Sequence, residues 1–159
     1  MDTALKGLKV LDFSTLLPGP FATLYLADLG AEVIHVESPS RPDLIRIFPP
    51  YANGQATSHS YLNRNKKSIA LDLKDPQNIE LIKSKIADFD IVVEQFRPEV
   101  MKRLGLDYST LAKINPRLIY CSITGYGQTG LYKHKAGHDI NYLALAGIVG
   151  HSGRQDSGP

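Results

Sequence analysis

The chain has 159 residues, of which 43% are hydrophobic and 21% charged, and these values are typical of one globular domain of ordinary size. Its 18 basic and 16 acidic residues give a net charge of +2, too small to indicate a nucleic-acid-binding groove. Cys121 is the only cysteine, which excludes an internal disulfide and a cluster of metal-binding thiolates.

The first elements predict a strand, a helix and a second strand. LKVLDF (8–13) is compact and apolar, and Pro20 suits the first position of a helix that ends near Gly30. This helix is apolar nearly all round, so we expect it to be buried against a sheet. AEVIHVE (31–37) is rich in β-branched residues and predicts the second strand.

Residues 38–67 lose this regularity. Pro49-Pro50, Asn53-Gly54 and scattered polar residues predict a long loop. SIALDL (68–73) predicts a short strand, and Asp75 is the expected cap of the helix that follows. Four apolar residues at helical spacing form the predicted core face of that helix: Ile79, Ile82, Ile86 and Phe89.

The remaining elements continue the alternation. DIVVE (90–94) predicts a strand, a short helix ends at Gly105, and Asp107 caps another helix. LIYCSIT (118–124) predicts a further strand, followed by the glycine-rich segment GYGQTG (125–130). Strands that alternate with helices predict an α/β fold with a Rossmann-like parallel sheet and flanking helices.

The sequence lacks complete motifs for binding a dinucleotide, a phosphate group or a metal. The first turn, STLLPGPFA, has one glycine where a dinucleotide site needs three, so Glu37 is expected to be a surface acid. GYGQTG lacks the Gly-Lys-Ser/Thr ending of a phosphate-binding loop. No histidine and carboxylate pattern predicts a metal site.

The segment AGHDINY (136–142) leaves two interpretations open. In the chemical one, His138 is a base at a helix start, where the helix dipole disfavours its charged form. Amides of the first helical turn would then face a negatively charged oxygen, an arrangement suited to removing a proton next to a carbonyl. In the structural one, Asp139 caps a core helix and His138 is a loop residue.

Several segments, in order, resemble the class III CoA-transferase family, which includes formyl-CoA and carnitine CoA-transferases and the α-methylacyl-CoA racemases. They are LKGLKVLDFSTLLPGPFATLYLADLGAEVIHVE, LNRNKKSIALDLKDP, DIVVEQFRPEVMKRLGLDY, NPRLIYCSITGYGQTG and AGHDINYLALAG. The resemblance implies that residues 1–159 are a single CoA-binding domain, the N-terminal portion of the family's large domain.

AGHDINY is most similar to the racemase branch, in which the histidine is one of two acid/base residues flanking the α-carbon of a 2-methylacyl-CoA. The resemblance therefore implies that His138 is catalytic and that Asp139 caps the helix. One alternative is a CoA-transferase that moves CoA between carboxylic acids through an aspartyl-CoA intermediate. Another is a non-catalytic CoA-binding or assembly fragment.

The resemblance also implies contacts with a CoA thioester, which would be the substrate, with no tightly bound cofactor. Arg103 matches an arginine placed for the CoA phosphates, and Arg41 stands in for an arginine that the family often carries where this chain has Ser38. The other expected contacts lie in the adenine segment and beside the thioester: Leu71, Asp72, Leu73, Lys74, Gly137, Asp139, Ile140, Asn141 and Tyr142.

The family forms interlocked homodimers with a second, smaller domain, and the resemblance implies that this chain lacks that material. The racemases' partner aspartate would lie beyond the chain's last residues, HSGRQDSGP, and Asp156 does not match it. We therefore expect the chain alone to bind CoA and at most to exchange an α-proton. No apolar run approaches the roughly 18 residues of a membrane span, and with one cysteine we expect a cytoplasmic protein.

Overall fold

A computed structural model describes residues 3–154 and 156 of the chain. The chain divides into two compact units, Met1–Ile123 and Thr124–Pro159. In the described residues, the first unit contains β1 (Lys9–Asp12), α1 (Pro18–Asp28), β2 (Glu32–Glu37), β3 (Tyr51–Ala52), β4 (Gln55–Ala56), α2 (Thr57–Leu62), β5 (Lys67–Ala70), α3 (Pro76–Lys85), β6 (Ile91–Glu94), α4 (Val100–Leu104), α5 (Tyr108–Leu111) and β7 (Ile119–Ser122). The second unit contains α6 (Asp139–Leu145).

The first unit is built on a five-stranded sheet with the order β5-β2-β1-β6-β7. The four pairings between neighbouring strands are all parallel, and Leu11 of β1 lies opposite Ile34 of β2 and Val92 of β6. The strand order reverses between β1 and β6, as it does in doubly wound folds. The predicted α/β fold with a parallel sheet is confirmed.

Successive side chains along a strand belong to two different apolar clusters. Leu11 and Val92 pack in the cluster that contains Ile79, Ile82 and Ile86, and Phe89 packs against it, so the predicted core residues are confirmed. Ile79 and Ile82 lie in α3, whereas Ile86 begins the 3₁₀ turn after it and Phe89 follows that turn. Their neighbours Val10 and Val93 belong to the other cluster, together with Ala27 near the end of α1 and Ala31 just before β2. The alternation of a β-strand thus places helices on both faces of the sheet.

Two parts of the first unit differ from the predictions. The predicted loop 38–67 contains a 3₁₀ turn at Leu44–Ile47, the β3–β4 hairpin and α2. Asn53 and Gly54 form the hairpin turn with positive φ angles of 50° and 77°. Helix α1 buries only one face; its other face exposes the apolar stripe Leu17, Phe21, Tyr25 and Leu29.

The second unit has a short helix with no buried residue. Ile140 and Leu145 of α6 are both largely exposed, so the interpretation of this segment as a core helix is not supported within the unit. Of the chain's last residues, HSGRQDSGP, Gln155 and residues 157–159 lie outside the described part. No helix in the described ranges is long and apolar enough to span a membrane.

Candidate functional site

A cleft of about 490 Å³ lies where the parallel strands of the first unit end. Its walls include Phe13 after β1, Glu37 at the end of β2, Leu71 after β5 and Phe96 after β6. We call it the strand-end cleft. The carboxyl ends of strands are where open parallel sheets usually bind ligands.

Four of the residues expected to contact CoA, Leu71–Lys74, line this cleft together. The Leu71 amide donates a hydrogen bond of 2.9 Å to the Glu37 carbonyl, so the segment continues the β2–β5 pairing beyond β5. The Asp72 carboxylate accepts the Lys74 amide at 3.0 Å. Asp72 therefore holds the turn, and Lys74 is exposed in that turn, just before α3.

Arg41 and Ser38 also line this cleft. The Arg41 amide donates to the Ser38 hydroxyl at 3.2 Å, and the Arg41 side chain is exposed. The structure therefore places Arg41 beside the position at which the family often has its arginine. It shares one cleft with Lys74, more than 30 residues further along the chain.

The segment that carries Arg41 is fixed by the buried side chain of Asp43. One Asp43 oxygen accepts the Leu16 amide at 2.9 Å and the other accepts the Ile45 amide at 3.1 Å. Leu16 has a left-handed φ of 62° in the turn between β1 and α1. Asp43 thus joins two walls of the strand-end cleft, because Leu16 and Asp43 both line it.

Arg46 fixes the same segment to the end of β2. Its Nε and Nη2 atoms donate to the two Glu37 carboxylate oxygens at 2.8 and 2.6 Å, and the Ser68 hydroxyl donates to Glu37 at 2.7 Å. Partial burial alone would raise the pKa of Glu37, but these hydrogen bonds outweigh burial and lower the pKa from 4.5 to about 2. Glu37 thus lies at the end of its strand, as expected, but only 11% of its side chain is exposed, so it is not the surface acid that the sequence suggested.

Gln95 makes a third set of hydrogen bonds near the ends of the strands. Its Oε1 accepts the Gly19 amide at 3.1 Å and its Nε2 donates to the Thr15 carbonyl at 2.6 Å. A Cβ atom at Gly19 would overlap Ser14, so this approach requires glycine. Sequence reasoning missed Gln95, Asp43 and Arg46, because each acts through a partner distant in the chain.

Arg103 is not among the residues that line the strand-end cleft, although the next residue, Leu104, is. Arg103 lies exposed in the last turn of α4, and its amide donates to the Glu99 carbonyl at 3.1 Å. The structure thus brings Arg41 and Leu71–Lys74 together and leaves Arg103 outside their cleft. Among the described residues, no group of three or more His, Cys, Asp or Glu side chains could hold a metal ion.

In the second unit, His138 itself is the N-cap of α6, and Asp139 is the first helical residue. The His138 amide donates to Asn141 Oδ1 at 2.9 Å, which is the reverse half of a capping box. The prediction that Asp139 is the cap is therefore wrong: the helix begins one residue earlier because Asn141 satisfies the amide of His138. The His138 side chain is exposed.

The other predicted residues of this segment have different environments within the second unit. The amide of Asn141 donates to the His138 carbonyl at 2.9 Å and is thus committed to the helix start. The amides of Asp139 and Ile140 belong to the first helical turn, whose N–H groups have no acceptor within the helix. Tyr142 is half-buried, and its hydroxyl donates to the Gly137 carbonyl at 2.7 Å.

Comparisons with known proteins agree with the resemblance seen in the sequence. The chain is 46% identical over 156 residues to succinyl-CoA:glutarate CoA-transferase of Mus musculus, an alignment that covers 98% of this chain and 36% of that protein. It is 41% identical over 157 residues to alpha-methylacyl-CoA racemase of Homo sapiens, with 98% of this chain and 37% of that protein covered. Transferases and racemases are thus both among its relatives.

A solved structure shows the same fold. The crystal structure of a CAIB/BAIF family protein from Brucella suis superposes with a TM-score of 0.92 at 40% identity, covering 100% of this chain and 43% of that one. The chain spans little more than a third of the curated relatives described above. The model of CoA-transferase family III matches residues 5–159, and the chain belongs to that family.

Proposed function

We propose that the strand-end cleft binds the CoA part of an acyl-CoA thioester. The observation that carries this proposal is that Arg41 and Lys74, from separate segments, line one cleft at the carboxyl ends of the strands. Names of relatives such as succinyl-CoA:glutarate CoA-transferase support a CoA thioester as the ligand.

The cleft presents exposed cations to an anion. Three carboxylates also line it, Glu37, Asp43 and Asp72. Arg46 neutralises Glu37, two backbone amides donate to Asp43, and the Lys74 amide donates to Asp72. Lys74 and Arg41 have exposed side chains whose charges are available to a ligand. Phosphate groups, of which CoA carries several, are the natural partners of such cations.

Titration of the ¹⁵N-labelled chain with CoA tests this proposal. Binding in the cleft should shift the amide resonances of Ser38, Arg41 and Leu71–Lys74 and leave those of the edge strand β7 unchanged. Lys74→Ala should weaken the shifts at every cleft residue. Shifts confined to residues outside the cleft would contradict the proposal.

For the reaction, we propose racemisation of a 2-methylacyl-CoA, with His138 as one acid/base. His138 would take the proton from the α-carbon, the electron pair would move onto the thioester oxygen as an enolate, and a second acid would return a proton on the opposite face. The amides of Asp139 and Ile140 are the candidate donors to that oxygen. The support is the exposed imidazole at the start of α6 and the 41% identity to a racemase.

CoA transfer is the second candidate, and the 46% identity to a CoA-transferase favours it. Deuterium uptake at the α-carbon of each 2-methylacyl-CoA enantiomer in heavy water separates the two reactions. Uptake that disappears in His138→Ala supports racemisation. Formation of a covalent CoA adduct in a full-length relative, with no uptake, supports transfer, and CoA binding with neither reaction supports a non-catalytic fragment.

A further inference from the structure

Tyr142 makes a hydrogen bond to the residue that precedes His138. Its hydroxyl donates to the Gly137 carbonyl at 2.7 Å, although the two residues are five positions apart. The ring of Tyr142 is half-buried, and the Tyr126 ring packs edge-on against it with a centroid distance of 5.1 Å. The Tyr142 side chain therefore sits between the peptide of Gly137 and a second aromatic ring.

Two glycines make this arrangement possible. A Cβ atom at Gly125 would overlap the ring of Tyr142. A Cβ atom at Gly137 would lie 2.6 Å from the Tyr126 hydroxyl and 2.8 Å from the Tyr142 ring. A Cβ atom at either position would come too close to these atoms, so the packing of Tyr142 in this place requires glycine at positions 125 and 137.

The backbone of His138 itself is also held, by hydrogen bonds with Asn141 and Tyr142. Its amide donates to Asn141 Oδ1 at 2.9 Å, and its carbonyl accepts the amides of Asn141 at 2.9 Å and Tyr142 at 3.4 Å. The imidazole is exposed and makes no such contact with the Tyr142 hydroxyl. The peptide that carries His138 is thus fixed while its side chain stays accessible.

We propose that Tyr142 is a positioning residue that fixes the Gly137–His138 peptide and thereby aims the His138 imidazole. This inference rests on the proposed acid/base function of His138. It assigns Tyr142 an effect through His138, in place of the direct ligand contact that the family resemblance implies. A positioning residue alters the rate of the chemical step and leaves substrate binding unchanged.

The test compares two variants. Tyr142→Phe removes the hydroxyl that donates to the Gly137 carbonyl, and Gly125→Ala displaces the Tyr142 ring by steric overlap. Tyr132→Phe and Gly150→Ala are the matched controls, since the Tyr132 side chain is exposed and a Cβ at Gly150 meets no atom within 4 Å. The first readout is the ¹³C carbonyl resonance of Gly137 in the whole chain. Both test variants should shift it in the same direction, the double variant should add nothing further, and the controls should not move it.

The second readout is α-proton exchange. Tyr142→Phe should lower kcat about five- to tenfold with KM unchanged, as expected for the loss of one positioning hydrogen bond. An unchanged carbonyl resonance would overturn the proposal, and so would a raised KM at unchanged kcat, which indicates a ligand contact. If the unsubstituted chain exchanges no proton, the proposed racemisation fails, whereas the carbonyl resonance still decides whether Tyr142 holds this peptide.

Discussion

Lys66 and Asp12 form a buried ion pair in the first unit, with the Lys66 ammonium 3.5 Å from Asp12 Oδ2 and side-chain exposures of 1% and 0%. The ammonium also donates to the Pro20 carbonyl at 2.9 Å and to Asn63 Oδ1 at 3.1 Å. Burial lowers the pKa of Lys66. This one side chain thus ties the end of β1 to α1 and to the end of α2.

Replacing Lys66 should destabilise the protein far more than replacing its neighbour Lys67. Lys66→Met removes the ammonium from the buried Asp12 carboxylate, which keeps the Thr23 hydroxyl at 2.6 Å and the His35 imidazole at 3.5 Å. We expect a loss of about 2–4 kcal/mol in the free energy of unfolding, because a buried carboxylate loses its lysine partner. The Lys67 side chain is 69% exposed and pairs with the exposed Glu32, so Lys67→Met should change stability by less than about 0.5 kcal/mol. Urea denaturation of the two variants makes the comparison, and equal losses would refute it.

The ion pair of Glu37 and Arg46 predicts a loss of stability in acid. The pKa of Glu37 is lowered from 4.5 to about 2, so its stabilisation is complete above 4.5 and disappears as the pH falls through that interval. Glu37→Gln should therefore be less stable than the unsubstituted protein near neutral pH and should approach it near pH 2. A stability difference that stays constant from neutral pH to pH 2 would contradict this prediction.

Arg46 should affect ligand binding although it does not line the strand-end cleft. Arg46→Ala removes one of the two restraints on the segment that carries Arg41, since the Asp43 hydrogen bonds remain, and it leaves the Glu37 charge in the cleft without its cation. We expect CoA binding, measured by calorimetry, to weaken about three- to tenfold. Arg64→Ala is the control, because Arg64 also pairs with a carboxylate, Asp28, and lies outside the cleft. If both substitutions weaken binding equally, the Arg46–Glu37 pair does not support binding by holding the segment that carries Arg41.

The sequence predicted the sheet and the α3 face because both depend on local patterns. Apolar strands that alternate with helices specify a parallel sheet, and Ile79, Ile82 and Ile86 repeat at helical spacing. Prediction from the sequence failed for residues 38–67, because a two-residue strand and a six-residue helix are too short to show a repeat of apolar residues. Asn53-Gly54 was the available signal for the hairpin.

The candidate site was predicted only in part. Leu71–Lys74 and Arg41 came from the family resemblance, and the structure places them in one cleft. Asp43 and Arg46 were missed because their partners, Leu16 and Glu37, are identified only once the fold brings the segments together. The cap of α6 was misplaced by one residue because an aspartate after a histidine is the stronger local signal, whereas Asn141 decides the outcome.

Calorimetric titration of the chain with CoA tests the proposed cleft most directly, with Lys74→Ala and Lys113→Ala measured alongside. Both lysines are exposed, but only Lys74 lines the strand-end cleft. We expect Lys74→Ala to weaken binding about tenfold, because it removes one charge-assisted phosphate contact, and Lys113→Ala to bind within about twofold of the unsubstituted chain. Equal binding by the unsubstituted chain and Lys74→Ala, or no binding by the unsubstituted chain, would contradict the assignment of this cleft to CoA.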